Sequence, residues 1–287
     1  MAKKTDTVHG FDGDKLYQQR ARVVLPMLVR QAWSGQPVRY EMLAAEAGIP
    51  NPRNLNYPLG CIGERLDALA DEWDDEIPHI QSLVAGKATR LPGDGFDGFL
   101  RRQGYDWDEG DKTERRAVIQ EYWTKVYEYP YWADVLEELN LEPAPVPAAD
   151  EIEAARRFGG GEGEEHRALK AFLCDNPHLV GLRPGSPAGK SEICLPSGDS
   201  VDVVFESARY IHAVEVKPAN APISDVTRGL FQCVKYRAVI RANLRHASDR
   251  RRVSAVLALG GTFPEKLTSL RNSLNVDVYE CLTDCMA

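Results

Sequence analysis

The sequence predicts two domains of different class: a C-terminal α/β domain with the element order α-β-β-β-α-β, and before it a mainly helical domain. Three observations predict this. Residues 141–149 carry Pro143, Pro145 and Pro147 in alternation, which reads as an extended linker. Beyond it, short apolar runs with turn residues between them alternate with helical patterns, as in an α/β sheet. Ahead of it, apolar residues recur at helical spacing between proline and glycine breaks. The expected division is therefore a helical domain at 1–142, a linker with a short helix (150–158) at 143–163, and the α/β domain at 164–287. The Gly159–Gly163 run closes the linker.

The composition is that of a globular chain, with 43% hydrophobic and 27% charged residues, and this excludes collagen-like, coiled-coil and wholly disordered classes. No window approaches 18 apolar residues, so no membrane association is expected. The N-terminus lacks the apolar stretch of a secretory signal, and a cytoplasmic location is expected. The six cysteines contain no Cys-x-x-Cys pair and read as reduced thiols, with nothing marking a structural zinc site. The net charge of −8 is uneven. Residues 1–149 hold 17 basic and 25 acidic side chains, whereas 150–287 hold 18 of each. Nucleic-acid binding would thus need a local basic surface.

In the first half, helices are expected at 15–33, interrupted or restarted at Pro26, at 40–47 with Gly48 as its C-terminal cap, and at 59–73 with Ile62, Leu66 and Leu69 on one face. Residues 112–140 read as helical and are rich in Tyr and Trp. Helix, glycine turn and helix together outline a helix-turn-helix. From Val38-Arg39-Tyr40 through Pro92-Gly93-Asp94-Gly95-Phe96 the chain resembles the winged-helix part of alkylguanine alkyltransferase-like proteins. It holds Pro78-His79-Ile80-Gln81 where those enzymes carry Pro-Cys-His-Arg, so alkyl transfer is excluded. The bland alternative is a helical packing domain. Asp71, Glu72, Asp74, Asp75 and Glu76 favour it, because they would repel phosphate.

The second half carries more chemistry. A helix at 164–174 with Leu169, Phe172 and Leu173 on its apolar face precedes strands at 191–195, 200–206 and 210–217. A helix at 223–247, a strand at 253–259, a helix near 264–273 and a strand at 276–279 follow. Glu215 and Lys217, two apart on a strand, project to the same face. Asp202 interrupts the apolar strand before it.

This order, with Asp202 and then Glu215-Val216-Lys217, resembles the PD-(D/E)XK (restriction endonuclease-like) nuclease superfamily over about residues 160–285. Gln232-Cys233-Val234-Lys235-Tyr236 matches a Gln-x-x-x-Tyr element found in some branches; Val201 stands where many members have proline. The resemblance implies a Mg²⁺-dependent hydrolase of DNA phosphodiester bonds, with Mn²⁺ able to substitute and RNA still open as a substrate. It implies a metal held by Asp202, Glu215, the Val216 carbonyl and Glu165 (Glu164 ranking second), with Lys217 orienting the attacking water. Gln232 and Tyr236, four apart on one helix face, would position substrate or a carboxylate. Hard oxygen ligands of this kind suit Mg²⁺. A role in phage defence or mobile-element biology is implied by the same resemblance. One active site per chain would favour a homodimer for double-strand cleavage. The rival reading is a non-catalytic nucleic-acid-binding or assembly protein on a nuclease-like scaffold.

Glu192 is a minor candidate beside this set, Glu206 reads as a solvated strand end, and His166 and His212 read as packing or surface residues. Arg228, Lys235, Arg237, Arg241 and Arg245 make a basic stripe on the helix after the Glu-x-Lys strand, expected to meet phosphates without reading base sequence.

Overall fold

The computed structural model describes residues 10–108, 110–145 and 163–286. The predicted helix at 150–158 lies outside them. The chain divides into two compact units, Met1–Val146 and Pro147–Ala287. No helix among the described residues is long and apolar enough to cross a membrane.

In the first unit α1 (Leu16–Trp33) runs unbroken through Pro26, against the expected interruption. Proline removes one helical hydrogen bond, but Val24, Leu25, Leu28 and Val29 around it are fully buried, and that packing holds the helix through it. The expected helix pair is present. α2 (Tyr40–Glu46) ends before Gly48, which takes the left-handed conformation at φ +64°, and a 3₁₀ turn leads into α3 (Asn56–Trp73). α3 starts earlier than its apolar periodicity indicates, because Pro58 lies in its first turn, where no N–H is needed. Ile62, Leu66 and Leu69 are fully buried, as their spacing predicts.

The expected glycine-rich wing is not a β-hairpin. Asp94–Phe96 forms a 3₁₀ turn into α4 (Asp97–Arg102). Arg115, on α5 (Lys112–Glu128), pins this segment by donating to Asp97 Oδ1 at 2.7 Å and to the Pro92 carbonyl at 3.0 Å. Two-residue strands β1 (Val38–Arg39) and β2 (Val84–Ala85) instead pair in parallel. The helix expected over 112–140 splits at Pro130 into α5 and α6 (Trp132–Glu138). Its aromatic residues build the core: the Trp123 indole donates to the Ser82 carbonyl at 2.9 Å, and the Tyr122 hydroxyl accepts the His79 N–H at 2.7 Å.

The second unit is mixed α/β. Its elements are α7 (Glu164–Asp175), β3 (Lys190–Cys194), β4 (Ser200–Glu206), β5 (Tyr210–Lys217), α8 (Ile223–His246), β6 (Arg252–Leu259), α9 (Thr268–Leu274) and β7 (Asp277–Tyr279). The sheet order is β3-β4-β5-β6-β7, antiparallel across the first three strands and parallel across the last three. β5 is central, and six of its eight residues are buried, as expected of a strand covered on both faces. Leu230, Cys233, Tyr236, Ile240 and Leu244 of α8 pack on one side of the sheet with Ala213 and Leu257. Leu169 and Leu173 of α7 pack with Val203, Phe205, Val214 and Val216.

Val201 departs from regular alternation. It packs with Val204 and Ala213 on the α8 side, whereas Val203 and Phe205 pack on the α7 side. The hairpin is thus irregular around Asp202. On the edge strand Glu192, which the ladder register sets opposite Asp202, has φ +56°, a conformation unfavourable for a non-glycine residue.

Candidate active site

The two helices bring their charged residues to β4 and β5. α7 begins at Gly163, and Glu164 and Glu165 occupy its first turn, where the helix dipole favours anions. Its buried Leu169 and Leu173 fix the helix on the sheet, so that His166 and Lys170, four apart, reach Asp202. α8 comes close because Gly229 faces the strand: a Cβ there would lie 2.8 Å from Leu257 Cδ1 and 3.3 Å from Lys217 Cε.

Glu215 and Lys217 are 5% and 7% exposed, so this is a buried pair rather than an exchange of surface charges. Lys217 Nζ lies 3.0 Å from Glu215 Oε1 and 3.5 Å from Asp225 Oδ1. Asp225 also bonds Arg228 at 3.0 Å. The Tyr236 hydroxyl is 2.8 Å from both Glu215 Oε2 and the Ser200 carbonyl, and it donates to one or the other. Asp202 Oδ2 accepts the Val216 N–H at 2.8 Å, which ties β4 to β5 between the two members of the Glu-x-Lys pair. His166 Nε2 lies 3.0 Å from the Val216 carbonyl and 3.5 Å from Asp202 Oδ2. Lys170, 4% exposed, sits 2.8 Å from Glu192 Oε1 and 3.9 Å from Asp202 Oδ1.

The electrostatics follow from this crowding. Burial pushes the Glu215 carboxyl up; Lys217 pulls it back in part, and the nearby Asp202 charge adds to the rise. Burial works against the Lys217 ammonium, but Glu215 and Asp225 outweigh it and hold the amine above its ordinary value. Lys217 is thus held as a cation beside Glu215, placed to stabilise a nearby anion. Burial and the Glu215 charge raise the Tyr236 phenol, so it remains a donor beside Glu215. The Asp202 carboxylate holds the His166 imidazole above its usual value despite its partial burial.

Asp202, Glu215, Val216, Lys217 and Tyr236 thus come together as one group. Glu165 stands at its rim: Glu165 Oε1 accepts the Ala219 N–H at 2.9 Å, just past the end of β5. That turn is itself fixed by the close approach of Gly260, where a Cβ would lie 2.7 Å from the Ala219 nitrogen. Glu164 is exposed at the start of α7, outside the cluster. Gln232 is half-buried on α8 and makes no hydrogen bond to these carboxylates. His212 hydrogen-bonds Ser254 Oγ at 2.7 Å and the Val180 carbonyl at 3.1 Å, and burial lowers its imidazole to about 4, consistent with a neutral packing residue.

Three residues of the cluster escape the sequence reading: His166, which it assigns to packing or surface, Lys170 and Asp225. The i,i+4 spacing of His166 and Lys170 beside the apolar Leu169 is the signal that could have found the first two.

The basic stripe divides into two groups. Lys235 pairs with Asp199 at 2.6 Å and Arg228 with Asp225. Arg237 donates to the carbonyls of Leu274 and Asn275 at 3.0 and 2.9 Å, and so caps the C-terminus of α9. Arg241 and Arg245 are exposed on the following turns. Arg237→Ala is accordingly expected to cost about 2 kcal/mol of stability, measured by denaturant unfolding. Arg241→Ala and Arg245→Ala, on exposed side chains, should by contrast leave stability unchanged in the same measurement.

Among the described residues, no group of three or more His, Cys, Asp and Glu side chains forms a ready-made metal cage. The oxygens at hand are the Asp202 and Glu215 carboxylates and the Val216 carbonyl. That set fits Mg²⁺, which is usually held by one or two carboxylates and otherwise by water and substrate phosphate. The half-buried Asp202 charge raises the buried Glu215 carboxyl, and a nearby cation would relieve that repulsion. Comparison with family models, with characterised proteins and with solved structures finds no match to this chain.

Proposed function

We propose that the second unit is a Mg²⁺-dependent nuclease that hydrolyses DNA phosphodiester bonds at Asp202, Glu215 and Lys217. The observation that carries this reading is the convergence of a half-buried carboxylate, Asp202, with a buried carboxylate and lysine, Glu215 and Lys217, on adjacent strands. A purely structural ion pair needs Glu215 and Lys217 alone. Asp202 adds a second negative charge beside that pair and raises the Glu215 carboxyl further, a cost that the Asp202 bond to the Val216 N–H alone does not call for, since an uncharged acceptor would serve it.

In this reading Asp202, Glu215 and the Val216 carbonyl hold Mg²⁺, with Mn²⁺ able to substitute. The chemistry the ion supplies when bound is charge neutralisation at the phosphate and a more acidic water. Lys217, charged and fixed by Glu215 and Asp225, stabilises the negative charge of the attacking water as it loses its proton. Tyr236 orients Glu215 when its hydroxyl donates to Oε2, and Glu165 fixes the turn after β5 through the Ala219 amide. Gln232, with no competing bond to the carboxylates, is left to contact substrate, and Arg241 and Arg245 supply phosphate contacts that are blind to sequence.

The test is incubation of circular and linear DNA, single- and double-stranded, and of RNA, with the full chain in Mg²⁺ or in chelator. Metal-dependent products from DNA support the nuclease reading. DNA binding without cleavage of any substrate contradicts it and favours the non-catalytic scaffold.

A further inference from the structure

We infer that Lys170 is a positioning residue for Asp202, and that the distorted backbone at Glu192 exists to hold Lys170 in that role. The inference rests on the nuclease reading only for what Asp202 does, not for how Asp202 is held.

A lysine that is 4% exposed must have its charge answered inside the protein. Two carboxylates do this. Glu192 Oε1 is 2.8 Å from Lys170 Nζ and Asp202 Oδ1 is 3.9 Å away, while Asp202 Oδ2 is taken by the Val216 N–H with His166 close by. The Asp202 carboxylate is thus hydrogen-bonded through Oδ2 and faces the Lys170 charge at ion-pair distance through Oδ1, and α7 supplies two of the three groups, His166 and Lys170. Glu192 supplies the anchor for the lysine. It does so from an edge strand at φ +56°, opposite Asp202, where the hairpin loses its regular alternation. Strained non-glycine backbone persists where the surroundings impose it. The salt bridge it delivers to Lys170 is the interaction that this conformation makes. Lys170 is too buried to meet DNA itself, so it acts through Asp202.

The test is amide hydrogen exchange by NMR on the full chain. Lys170→Met keeps the apolar stem and removes the charge. It is expected to speed exchange of the Val216 amide, whose acceptor is Asp202, by about tenfold, the change expected when a bond to a charged acceptor is weakened. The Gly260 amide, bonded to the Lys217 carbonyl in the same sheet, should keep its protection, which separates repositioning of Asp202 from general loosening. Glu192→Gln removes only the anchor's charge on an exposed side chain and should produce a smaller change of the same kind; if Lys170→Met does not fold, this variant decides alone. Unchanged Val216 protection in the folded variants, or an equal change at Val216 and Gly260, overturns the inference. DNA cleavage by wild type is scored separately. A selective Val216 response in a chain that cuts nothing keeps the role of Lys170 and removes the nuclease reading.

Discussion

Replacing Lys217 by methionine is expected to destabilise the protein by about 3–5 kcal/mol, because it leaves Glu215 as an uncompensated charge in the interior. Glu215 is 5% exposed, and its neighbours after the substitution are the Tyr236 hydroxyl and the Asp202 carboxylate, only one of which favours its ionised form. Two checks follow. Glu215→Gln/Lys217→Met should recover most of the stability, since the amide keeps a partner in Tyr236 and no charge remains unpaired. It should not recover cleavage. The pH dependence has a definite sign. Glu215 is raised by burial in the folded chain, so its ionisation costs stability as pH rises above the ordinary carboxylate range. With Lys217 gone that rise is larger, so Lys217→Met should lose less stability at pH 5 than at pH 8, measured by urea unfolding at both values. Lys217 itself is raised, and its contribution in wild type is present at neutral pH and is lost only above the ordinary amine range. A Lys217→Met protein equally destabilised at both pH values would contradict this reading of the pair.

The second large effect is on catalysis. Asp202→Asn keeps an acceptor for the Val216 N–H, so the tie between β4 and β5 can persist and the fold should remain. What it removes is the charge that attracts a divalent cation. Metal ions supply several kcal/mol of transition-state stabilisation, so single-turnover cleavage should fall by about 10³-fold. DNA affinity, which the proposed function assigns to Arg241, Arg245 and other basic groups, should change little. A fall in affinity as large as the fall in rate would place Asp202 in DNA binding instead.

Much of the second unit is legible in the sequence, and the reason is physical. β4 and β5 span the residues expected of them, because a β-branched apolar strand bounded by Pro196–Asp199 and Ser207-Ala208-Arg209 has few other ways to bury itself. The nearness of Asp202 to the Glu-x-Lys pair also follows, since a hairpin sets their separation. The helical partners are harder to read. Lys170 appears as an ordinary solvent-facing lysine until α7 is docked, and Asp225 as a helix-start acid until α8 is seen to approach Lys217 across Gly229. The basic stripe misleads for a related reason. Periodicity places Arg237 on the same face as Arg241 and Arg245, but it cannot show that the carbonyls of α9 lie within reach of the first. In the first unit, helix periodicity locates the helix pair, while the absence of a β-wing depends on Arg115 reaching Asp97 and Pro92 from a distant helix, which no local pattern encodes.

The central claim is that Asp202 serves metal-dependent phosphodiester hydrolysis. Its most direct test is single-turnover cleavage of an end-labelled and a circular DNA duplex by the full chain, in Mg²⁺ and in chelator, with wild type and Asp202→Asn side by side. The account predicts cleavage by wild type in Mg²⁺, none in chelator, and loss of about 10³-fold in the variant at equal DNA occupancy. Cleavage that survives chelator, or that proceeds at the same rate in Asp202→Asn, would contradict it.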